Sequence, residues 1–383
     1  MKKLRVGVIG AGFIGKQHVE AIRRIPGAEV AAIADSNPAI AESAGESLCI
    51  DKYYDDYKKM LDFENLDIVH NCTPSGMHYP VNLDVLNRKI PLYCEKPLTL
   101  TAQESQKLCE IADMAGVKTA VNFNYRNNVM VHEMRERVKS GIIGKVLAAH
   151  GEYLQDWLLF NTDYDWRMDP SVGGESRAVA DIGSHCFDTA QYVLGKKIKS
   201  VYAKLITVHP HRYKNVNKEG TFGAAIMGGG EKFSVSSEDA AYIMAEFEDN
   251  TPCLFNISQV CAGKKNGLML NTSGSISSLE WRQETADRLY IGRRDNGNDQ
   301  IYASAQYLTD YAKKYATLPS GHAVGWADAF RNGIAAFYED VRTGVPSGKD
   351  KYYADFSDGL YVMKIVEACL KSNRLNKWVD VEE

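Results

Sequence analysis

Three side chains in this sequence have the types and spacing for acid–base chemistry on an alcohol. Lys96 follows an apolar run that predicts a buried strand, and Asp181 and His185 stand four residues apart in a predicted helix, so they share one helical face. Removing a hydride from an alcohol carbon needs a base for the hydroxyl proton and a cation beside the developing alkoxide. Histidine suits the first role near neutral pH and lysine suits the second.

Each of these patterns, taken alone, is more often structural. A lysine after a strand is usually solvated, and a histidine with aspartate one helical turn before it is usually a hydrogen-bonded pair. The catalytic interpretation gains weight because the same chain carries a nucleotide-binding motif.

That motif is Gly10-Ala11-Gly12-Phe13-Ile14-Gly15, which fits G-x-G-x-x-G. It follows a β-branched run from Leu4 to Ile9 and opens a helical pattern over 13–25. In a dinucleotide-binding turn, Gly10 would permit the tight turn, Gly12 would let the backbone approach a pyrophosphate, and Gly15 would let helix and strand pack closely. The helix N-terminus would face the anion, so we predict that Gly10, Gly12, Phe13, Ile14 and Gly15 bind the cofactor.

Asp35 ends the next predicted strand, about 20 residues after the motif, which is the spacing expected for the residue that binds the adenosine ribose. A carboxylate there would repel a 2′-phosphate, and Ser36 and Asn37 bring no arginine. The pattern favours NAD over NADP and over a flavin. Ser36, also predicted to contact the cofactor, is small and polar enough to leave NADP open.

Two domains are predicted: a dinucleotide-binding Rossmann domain over 1–123, and a substrate-binding and oligomerisation domain over 124–383. In the first, short apolar runs alternate with helical patterns, as in parallel α/β sheets, and the polar signals fall where strands end. The second has helical patterns and long alternating stretches, including a hairpin signal at 242–258, which predict an α+β domain with a large, mostly antiparallel open sheet. A final helix over 353–372 is expected to pack on the first domain.

Composition places the chain among ordinary globular proteins, with 45% apolar and 25% charged residues and a formal net charge of −4. No basic excess points to nucleic acid, and no apolar run approaches a membrane span, so neither partner is expected. The eight cysteines show no disulfide or metal-site spacing. We expect reduced thiols, no metal, and a cytoplasmic protein.

Taken together, the motifs resemble the glucose-fructose oxidoreductase and inositol dehydrogenase family. The resemblance covers nearly the whole chain and rests on the glycine motif and on these segments: Thr73-Pro74-Ser75-Gly76-Met77-His78, Glu95-Lys96-Pro97, Asn124-Tyr125-Arg126, Trp166-Arg167, and Asp181-Ile182-Gly183-Ser184-His185 with Asp188.

The resemblance implies catalysis in a cleft between the two domains, with Lys96 on the reacting oxygen, His185 as general acid/base and Asp181 orienting the substrate. It implies a cis bond between Lys96 and Pro97, and a homo-dimer or homo-tetramer built on the open sheet. Further cofactor contacts are expected from Thr73, Pro74, Ser75, His78, Glu95, Lys96 and Asn124, although Ser75 replaces the more usual asparagine. Further substrate contacts are expected from Arg126, Tyr153, Gln155, Trp157 and Arg167.

The predicted function is oxidation of a ring hydroxyl of a sugar, sugar derivative or cyclic polyol, with hydride transfer to a nicotinamide cofactor. An aromatic and amide wall at Tyr153, Gln155 and Trp157 suits such a ring, though Trp157 and Trp166 fit equally well as core residues. Two alternatives stay open: a glycosidase that uses tightly held NAD for transient oxidation, and a non-catalytic regulator that only binds the dinucleotide.

Overall fold

The computed structural model describes residues 3–214, 230–319, 321–344 and 352–381. The chain forms two compact units: the first comprises Met1–Asn127 and Ala327–Tyr361, and the second comprises Asn128–Trp326 and Val362–Glu383. The first unit thus contains 124–127 and a late segment, 327–361, in addition to the range assigned to the Rossmann domain from the sequence. That late segment includes the first turn of the helix expected over 353–372.

The first unit is built on a six-stranded parallel sheet in the order β3-β2-β1-β4-β5-β6. Its strands are β1 (Leu4–Ile9), β2 (Ala28–Ala34), β3 (Tyr53–Tyr54), β4 (Ile68–Asn71), β5 (Leu92–Cys94) and β6 (Thr119–Val121). Short β-branched and apolar runs form these strands because both faces of a parallel sheet are buried. The expected Rossmann fold is confirmed.

The carboxyl ends of five strands in this sheet lie in register. Ile9 is paired with Ala34 on one side and Asn71 on the other, Asn71 is paired with Cys94, and Cys94 with Val121. The residues that follow each strand therefore lie along one edge of the sheet. This is the edge where ligands bind in doubly wound sheets.

Ten helices are described along the chain. They are α1 (Phe13–Arg23), α2 (Pro38–Ser47), α3 (Tyr57–Phe63), α4 (His78–Asn87), α5 (Ala102–Ala115), α6 (Val129–Lys139), α7 (Pro170–Gly173), α8 (Ser184–Leu194), α9 (Trp326–Thr343) and α10 (Phe356–Leu375). None of them, within the residues described, is long and apolar enough to cross a bilayer.

The second unit contains a nine-stranded sheet in the order β16-β15-β14-β13-β7-β12-β11-β8-β17 and a small two-stranded sheet of β9 and β10. Its strands are β7 (Val146–Leu154), β8 (Ile198–Ile206), β9 (His211–Lys214), β10 (Glu231–Ser234), β11 (Ala240–Phe247), β12 (Pro252–Ser258), β13 (Gly267–Gly274), β14 (Ser277–Arg282), β15 (Arg288–Arg293), β16 (Asp299–Tyr302) and β17 (Val379–Asp380). In the large sheet β12 and β7 are parallel and the other neighbours are antiparallel, which confirms the mostly antiparallel sheet.

The helix expected over 181–194 is not a single α-helix. It begins with a π-helical turn over Val179–Gly183 and continues as α8. The turn starts on the buried carboxylate of Glu238, whose Oε1 accepts the backbone N–H groups of Arg177 at 3.0 Å and Val179 at 2.8 Å. Glu238 thus satisfies backbone N–H groups at the start of this helix, and Asp181 lies in the wide π-helical turn that precedes α8.

Candidate active site

The glycine motif forms the turn between β1 and α1. Gly10 has a φ of 96°, in the left-handed region, and a Cβ there would lie 2.5 Å from the carbonyl oxygen of Cys72. A Cβ on Gly15 would overlap the carbonyl oxygen of Gly10, whereas one on Gly12 would meet no atom within 4 Å. Gly10 and Gly15 are therefore required by packing, while Gly12 leaves open space in front of the backbone.

Gly12 precedes α1 without a side-chain hydrogen bond capping that helix. Phe13 follows with 58% of its surface exposed, and Ile14 is half-buried. An uncapped helix N-terminus behind open space fits the diphosphate of a dinucleotide, since backbone N–H groups and the helix dipole favour an anion there.

Asp35 follows β2 and is tied to the glycine turn. Its Oδ2 accepts the N–H of Ala11 at 2.9 Å, and its Oδ1 accepts the N–H of Asn37 at 3.0 Å. Ser36, between them, is exposed. The half-buried carboxylate thus stands beside the turn, which is the arrangement expected for a group that accepts ribose hydroxyls.

The loop after β4 is fastened by two buried side chains. The Thr73 hydroxyl donates to Asn71 at 2.7 Å, while Pro74 is exposed and Ser75 is buried at the start of a short 3₁₀ turn. His78 bridges two loops, with Nε2 2.8 Å from the carbonyl of Thr73 and Nδ1 2.7 Å from the carbonyl of Pro97. His78 therefore acts on loop geometry from within the fold.

Glu95 and Lys96 follow β5, and the Lys96–Pro97 bond is cis, as the resemblance implied. Lys96 is half-buried, and its backbone N–H donates to Glu95 Oε2 at 3.1 Å. The Glu95 carboxylate also binds His18 and Asn122, so its side chain is engaged inside the unit. Burial opposes ionisation of Glu95, but the hydrogen bond from His18, the charge of Lys96 and the hydrogen bond from Asn122 outweigh it and lower its pKa.

Two residues after β6 differ in their side-chain contacts. The Nδ2 atom of Asn124 is buried and has no hydrogen-bond partner among the described residues. An unpaired buried donor is unfavourable, so this atom fits a ligand that supplies an acceptor. Arg126, in contrast, is buried and paired with Asp358 at 3.1 Å within the first unit.

In the second unit, Asp181 is held by two donors. Gln259 donates through Nε2 to Asp181 Oδ2 at 2.9 Å, and Arg167 Nε lies 3.3 Å from Oδ1. Arg167 also pairs with Asp165 at 3.0 Å and stacks over the Trp166 ring at 4.3 Å. The guanidinium is thus fixed in place beside the carboxylate of Asp181.

His185 lies in the first turn of α8 and is almost fully buried. Its ring lies 6.2 Å from the Tyr153 ring, centroid to centroid. Tyr153 belongs to β7 and donates its hydroxyl to Asn266 at 2.5 Å. Asp181, His185, Arg167 and Tyr153 therefore form one cluster of polar side chains in the second unit.

The predicted aromatic and amide wall is partly structural. Trp157 donates through Nε1 to Gln155 Oε1 at 2.9 Å, which joins the two residues. Trp157 also packs against a small buried cluster that includes Leu158 and Met168. The ring is half-buried, so packing accounts for one part of its surface and leaves the other accessible.

Two residues that hold this cluster, Gln259 and Glu238, were not predicted from the sequence. Neither belongs to a recognisable motif, and both lie far along the chain from Asp181. The only sequence signal was positional: Gln259 follows β12 and Glu238 precedes β11, so both flank strands next to β7 or β8 in the sheet. No group of three or more His, Cys, Asp or Glu side chains in the described ranges could hold a metal ion.

A parallel sheet with a glycine turn after β1, a carboxylate after β2 and an unpaired amide after β6 defines a dinucleotide-binding α/β domain. Its combination with an Asp–His pair in a second, mostly antiparallel unit is the architecture of a nicotinamide-dependent oxidoreductase.

Comparison with known proteins identifies the family. Residues 4–123 match the model of the GFO/IDH/MocA oxidoreductase family with an NAD-binding Rossmann fold, and residues 131–279 match the C-terminal domain model of the same family. The chain belongs to the GFO/IDH/MocA oxidoreductase family.

Several relatives match along nearly their whole length. Levoglucosan dehydrogenase of Pseudarthrobacter phenanthrenivorans is 26% identical, with 100% of this chain and 99% of the relative covered. D-glucoside 3-dehydrogenase of Escherichia coli is 27% identical, with 89% and 96% covered. A solved structure of levoglucosan dehydrogenase in complex with NADH and L-sorbose has a TM-score of 0.88 at 26% identity, with both chains covered completely.

Proposed function

We propose that this protein is an NAD-dependent dehydrogenase that oxidises a ring hydroxyl of a sugar, a sugar derivative or a cyclic polyol. The observation that carries the proposal is the Asp181 carboxylate, held by Arg167 and Gln259 one turn before His185. Membership of an oxidoreductase family with an NAD-binding Rossmann fold supports it. Relatives named for levoglucosan and D-glucosides support the substrate class.

In the proposed reaction Lys96 and His185 act on the same substrate hydroxyl. His185 removes the hydroxyl proton, and the ammonium of Lys96 stabilises the developing alkoxide by charge and hydrogen bonding. The carboxylate of Asp181 orients the substrate and stabilises the positive charge that His185 gains when it accepts the proton. The bound nicotinamide would accept the hydride from the ring carbon.

We assign cofactor binding to residues 1–123, with Asn124 just beyond them, and substrate binding and oligomerisation to the rest of 124–383, of which 125–127 and 327–361 fold with the first unit. The dinucleotide would be held by the turn at Gly10, Gly12, Phe13, Ile14 and Gly15, by Asp35 and Ser36, and by Thr73, Pro74, Ser75, Lys96 and Asn124. His78 and Glu95, whose side chains are bound inside the unit, would support the loops that carry these contacts. The substrate ring would meet Arg126, Tyr153, Gln155, Trp157 and Arg167 beside the three reacting groups. Stacking of an aromatic ring on the C–H face of a sugar, with amides on its hydroxyls, is the recognition that these side chains can supply.

The decisive experiment is a substrate screen with purified protein, NAD and NADP, followed by nicotinamide absorbance. Inositols, aldoses, glycosides and anhydrosugars should include at least one compound that yields one NADH per molecule oxidised. Product formation from a glycoside without net NADH would favour the glycosidase instead, and dinucleotide binding without turnover of any compound would favour a regulator.

Two variants then test the assigned roles. His185→Ala and Lys96→Met should each lower kcat by about 100-fold or more while NADH binding changes little. Exposed residues of the same types provide controls, and His211→Ala and Lys107→Met should behave as the unmodified protein. Normal turnover in both active-site variants would refute the assignment.

A homo-dimer or homo-tetramer through the large sheet is also part of the proposal. Tyr202, Met244, Leu254 and His150 form one row across β8, β11, β12 and β7 on the same face. Met244 and Leu254 are 45% and 47% exposed, and Tyr242 on the same face is 55% exposed. Exposed apolar side chains grouped on one face of a sheet are typical of a protein interface.

Light scattering after size exclusion tests this interface. Met244→Asp should reduce the particle mass, whereas Ile276→Asp, at a more exposed apolar residue between β13 and β14, should leave it unchanged. An unchanged mass for Met244→Asp would contradict the interface.

Buried thiols at Cys72, Cys94, Cys186 and Cys369 support the further proposal of a reducing compartment, the cytoplasm.

A further inference from the structure

The first unit contains a buried hydrogen-bond chain that the proposed reaction does not use directly. The Tyr338 hydroxyl lies 2.9 Å from His70 Nε2, and His70 Nδ1 lies 2.7 Å from His18 Nδ1. His18 Nε2 in turn lies 3.0 Å from Glu95 Oε1. Tyr338, His70 and His18 are fully buried and Glu95 is 6% exposed, so water does not compete for these contacts.

The two ends of this chain determine where its protons lie. Among the described residues, His70 is the hydrogen-bond partner of the Tyr338 hydroxyl, so Tyr338 must donate to His70 Nε2 or leave a buried O–H unpaired. His70 then carries its proton on Nδ1 and donates to His18 Nδ1. His18 carries its proton on Nε2 and donates to Glu95, an ionised acceptor.

This order allows only neutral rings. An added proton on His18 would place two hydrogens between the Nδ1 atoms of His18 and His70, which are 2.7 Å apart. The proton would fit only if His70 changed tautomer, and Tyr338 would then lose its acceptor. Burial, the largest cause, lowers the pKa of His70 well below its usual value, which agrees with a neutral His70 ring.

Packing holds the rings in this arrangement. His70 stacks on Tyr93 with centroids 4.9 Å apart and planes at 14°, and His18 meets the Phe330 ring edge-on at 4.8 Å. Asn122, which accepts from the Tyr93 hydroxyl at 3.1 Å, donates to Glu95 Oε1 at 2.6 Å. Rotation of either imidazole would therefore break aromatic contacts as well as hydrogen bonds.

The hydrogen-bond chain ends at Glu95, the residue before Lys96. Glu95 Oε1 receives His18 and Asn122, while Oε2 receives the backbone N–H of Lys96 at 3.1 Å. The carboxylate is thus clamped from one side and fixes the backbone of the next residue from the other. Loss of a hydrogen bond in this hydrogen-bond chain would therefore affect the backbone position of Lys96.

We propose that Tyr338, His70 and His18 form a directional hydrogen-bond chain that clamps Glu95 and thereby positions Lys96 at the end of β5. These are positioning residues, since they act through Glu95. The catalytic part of the inference rests on the proposed function, whereas the proton order does not.

Nuclear magnetic resonance of protein labelled with ¹⁵N-histidine tests the proton order without any substrate. Protonated and unprotonated ring nitrogens have well-separated shifts, and His18→Gln and His70→Gln assign the signals. At about pH 7, His70 should carry its proton on Nδ1 and His18 on Nε2. A doubly protonated His18, or a His70 protonated on Nε2, would overturn the proposed order.

Tyr338→Phe removes only the first donor of the chain. We expect His70 to populate both tautomers, and kcat to fall about 10-fold with KM and NADH affinity within about twofold, since one buried hydrogen bond is lost. Tyr353→Phe is the matched control, because Tyr353 is also buried in the first unit and donates its hydroxyl to Asp340 at 2.9 Å. It should lose similar stability but keep full turnover and the His70 tautomer.

The kinetic measurements use NAD and the sugar oxidised fastest in the screen. Equal kcat for Tyr338→Phe and unmodified protein, or an equal loss in Tyr353→Phe, would overturn the positioning role. If no sugar is oxidised by the unmodified protein, the proposed function fails, while the histidine spectra still decide whether the clamp exists.

Discussion

The side-chain amide of Gln259 donates a 2.9 Å hydrogen bond to the carboxylate of Asp181. Gln259 lies just beyond β12 and is fully buried, and its backbone N–H binds the carbonyl of Asp239 at 2.9 Å. Its carbonyl accepts the N–H of Leu158 at 3.2 Å. The backbone of Gln259 is thus held at both its N–H and its carbonyl. This fixes the position from which the side-chain amide binds Asp181.

Replacing Gln259 with Ala should therefore reduce turnover more than binding. A hydrogen bond to a charged group contributes about 1.5–3 kcal/mol, so kcat should fall about 10- to 100-fold while NADH affinity stays within about twofold. Gln191→Ala is a matched control, because Gln191 is also buried in the second unit but accepts from the N–H of Ile198. Steady-state kinetics of both variants, with the sugar found by the screen, provide the measurement, and equal effects would contradict the role of Gln259.

The glycine turn makes a prediction that separates folding from binding. Gly15→Ala should lower stability by about 1–3 kcal/mol, since its Cβ would overlap the carbonyl oxygen of Gly10. Gly12→Ala should leave the melting temperature almost unchanged, because no atom lies within 4 Å of the added Cβ, yet weaken NADH binding about 10-fold. Thermal melts and NADH fluorescence titrations measure the two effects. Unimpaired binding by Gly12→Ala would argue against a diphosphate in front of this turn.

Asp35 should control the choice between NAD and NADP. Asp35→Ala removes the carboxylate that would repel a 2′-phosphate, so the ratio of kcat/KM for NADP to that for NAD should rise about 10-fold or more. Affinity for NAD should also decrease, because the turn loses the acceptor for the Ala11 N–H. Parallel kinetics with both cofactors test this, and an unchanged ratio would show that specificity is set elsewhere.

Stability should fall as the pH decreases below about 6.5. Burial is the largest cause that lowers the pKa of His70 and that of His78. In the unfolded chain these groups bind protons below about pH 6.5, so the unfolded state takes up more protons than the folded state there. Each such histidine costs up to about 1.4 kcal/mol per pH unit as the pH falls. Urea unfolding at several values between about pH 7 and pH 5.5 gives the free energy of unfolding as a function of pH. This free energy should fall less steeply with decreasing pH in His70→Gln than in the unmodified protein, and an identical pH dependence would contradict this account.

The parts of the fold that were predicted well have strong local signals. Helix α5 carries such signals at both ends: the Thr101 hydroxyl accepts the N–H of Glu104 at 3.2 Å, and Gly116 ends the helix at a φ of 65°. The Glu104 carboxylate accepts the N–H of Leu100, one residue earlier than an ideal capping box. Capping and turn residues act within a few positions, so the sequence reveals them directly.

Helix α9 was not predicted, although its sequence has the spacing of apolar residues that is typical of a helix. Phe330, Ile334, Phe337 and Tyr338 recur at helical spacing and are all buried. The sequence does not indicate that α9 belongs to the first unit, because this depends on contacts with residues from the opposite end of the chain. Gln259 and Glu238 escaped for the same reason: they bind Asp181 and the start of its helix across long sequence separations, and no local pattern encodes such a pairing.

The late segment 327–361 has a practical consequence for anyone who wishes to produce the nucleotide-binding half by itself. A fragment cut after Asn127 would lack Tyr338 and Asp358, which satisfy His70 and Arg126 in the intact protein. It would also expose the surface covered by α9, so aggregation is the expected outcome of expressing it. A self-sufficient half requires the two stretches, Met1–Asn127 and Ala327–Tyr361, to be joined by a designed linker in place of Asn128–Trp326.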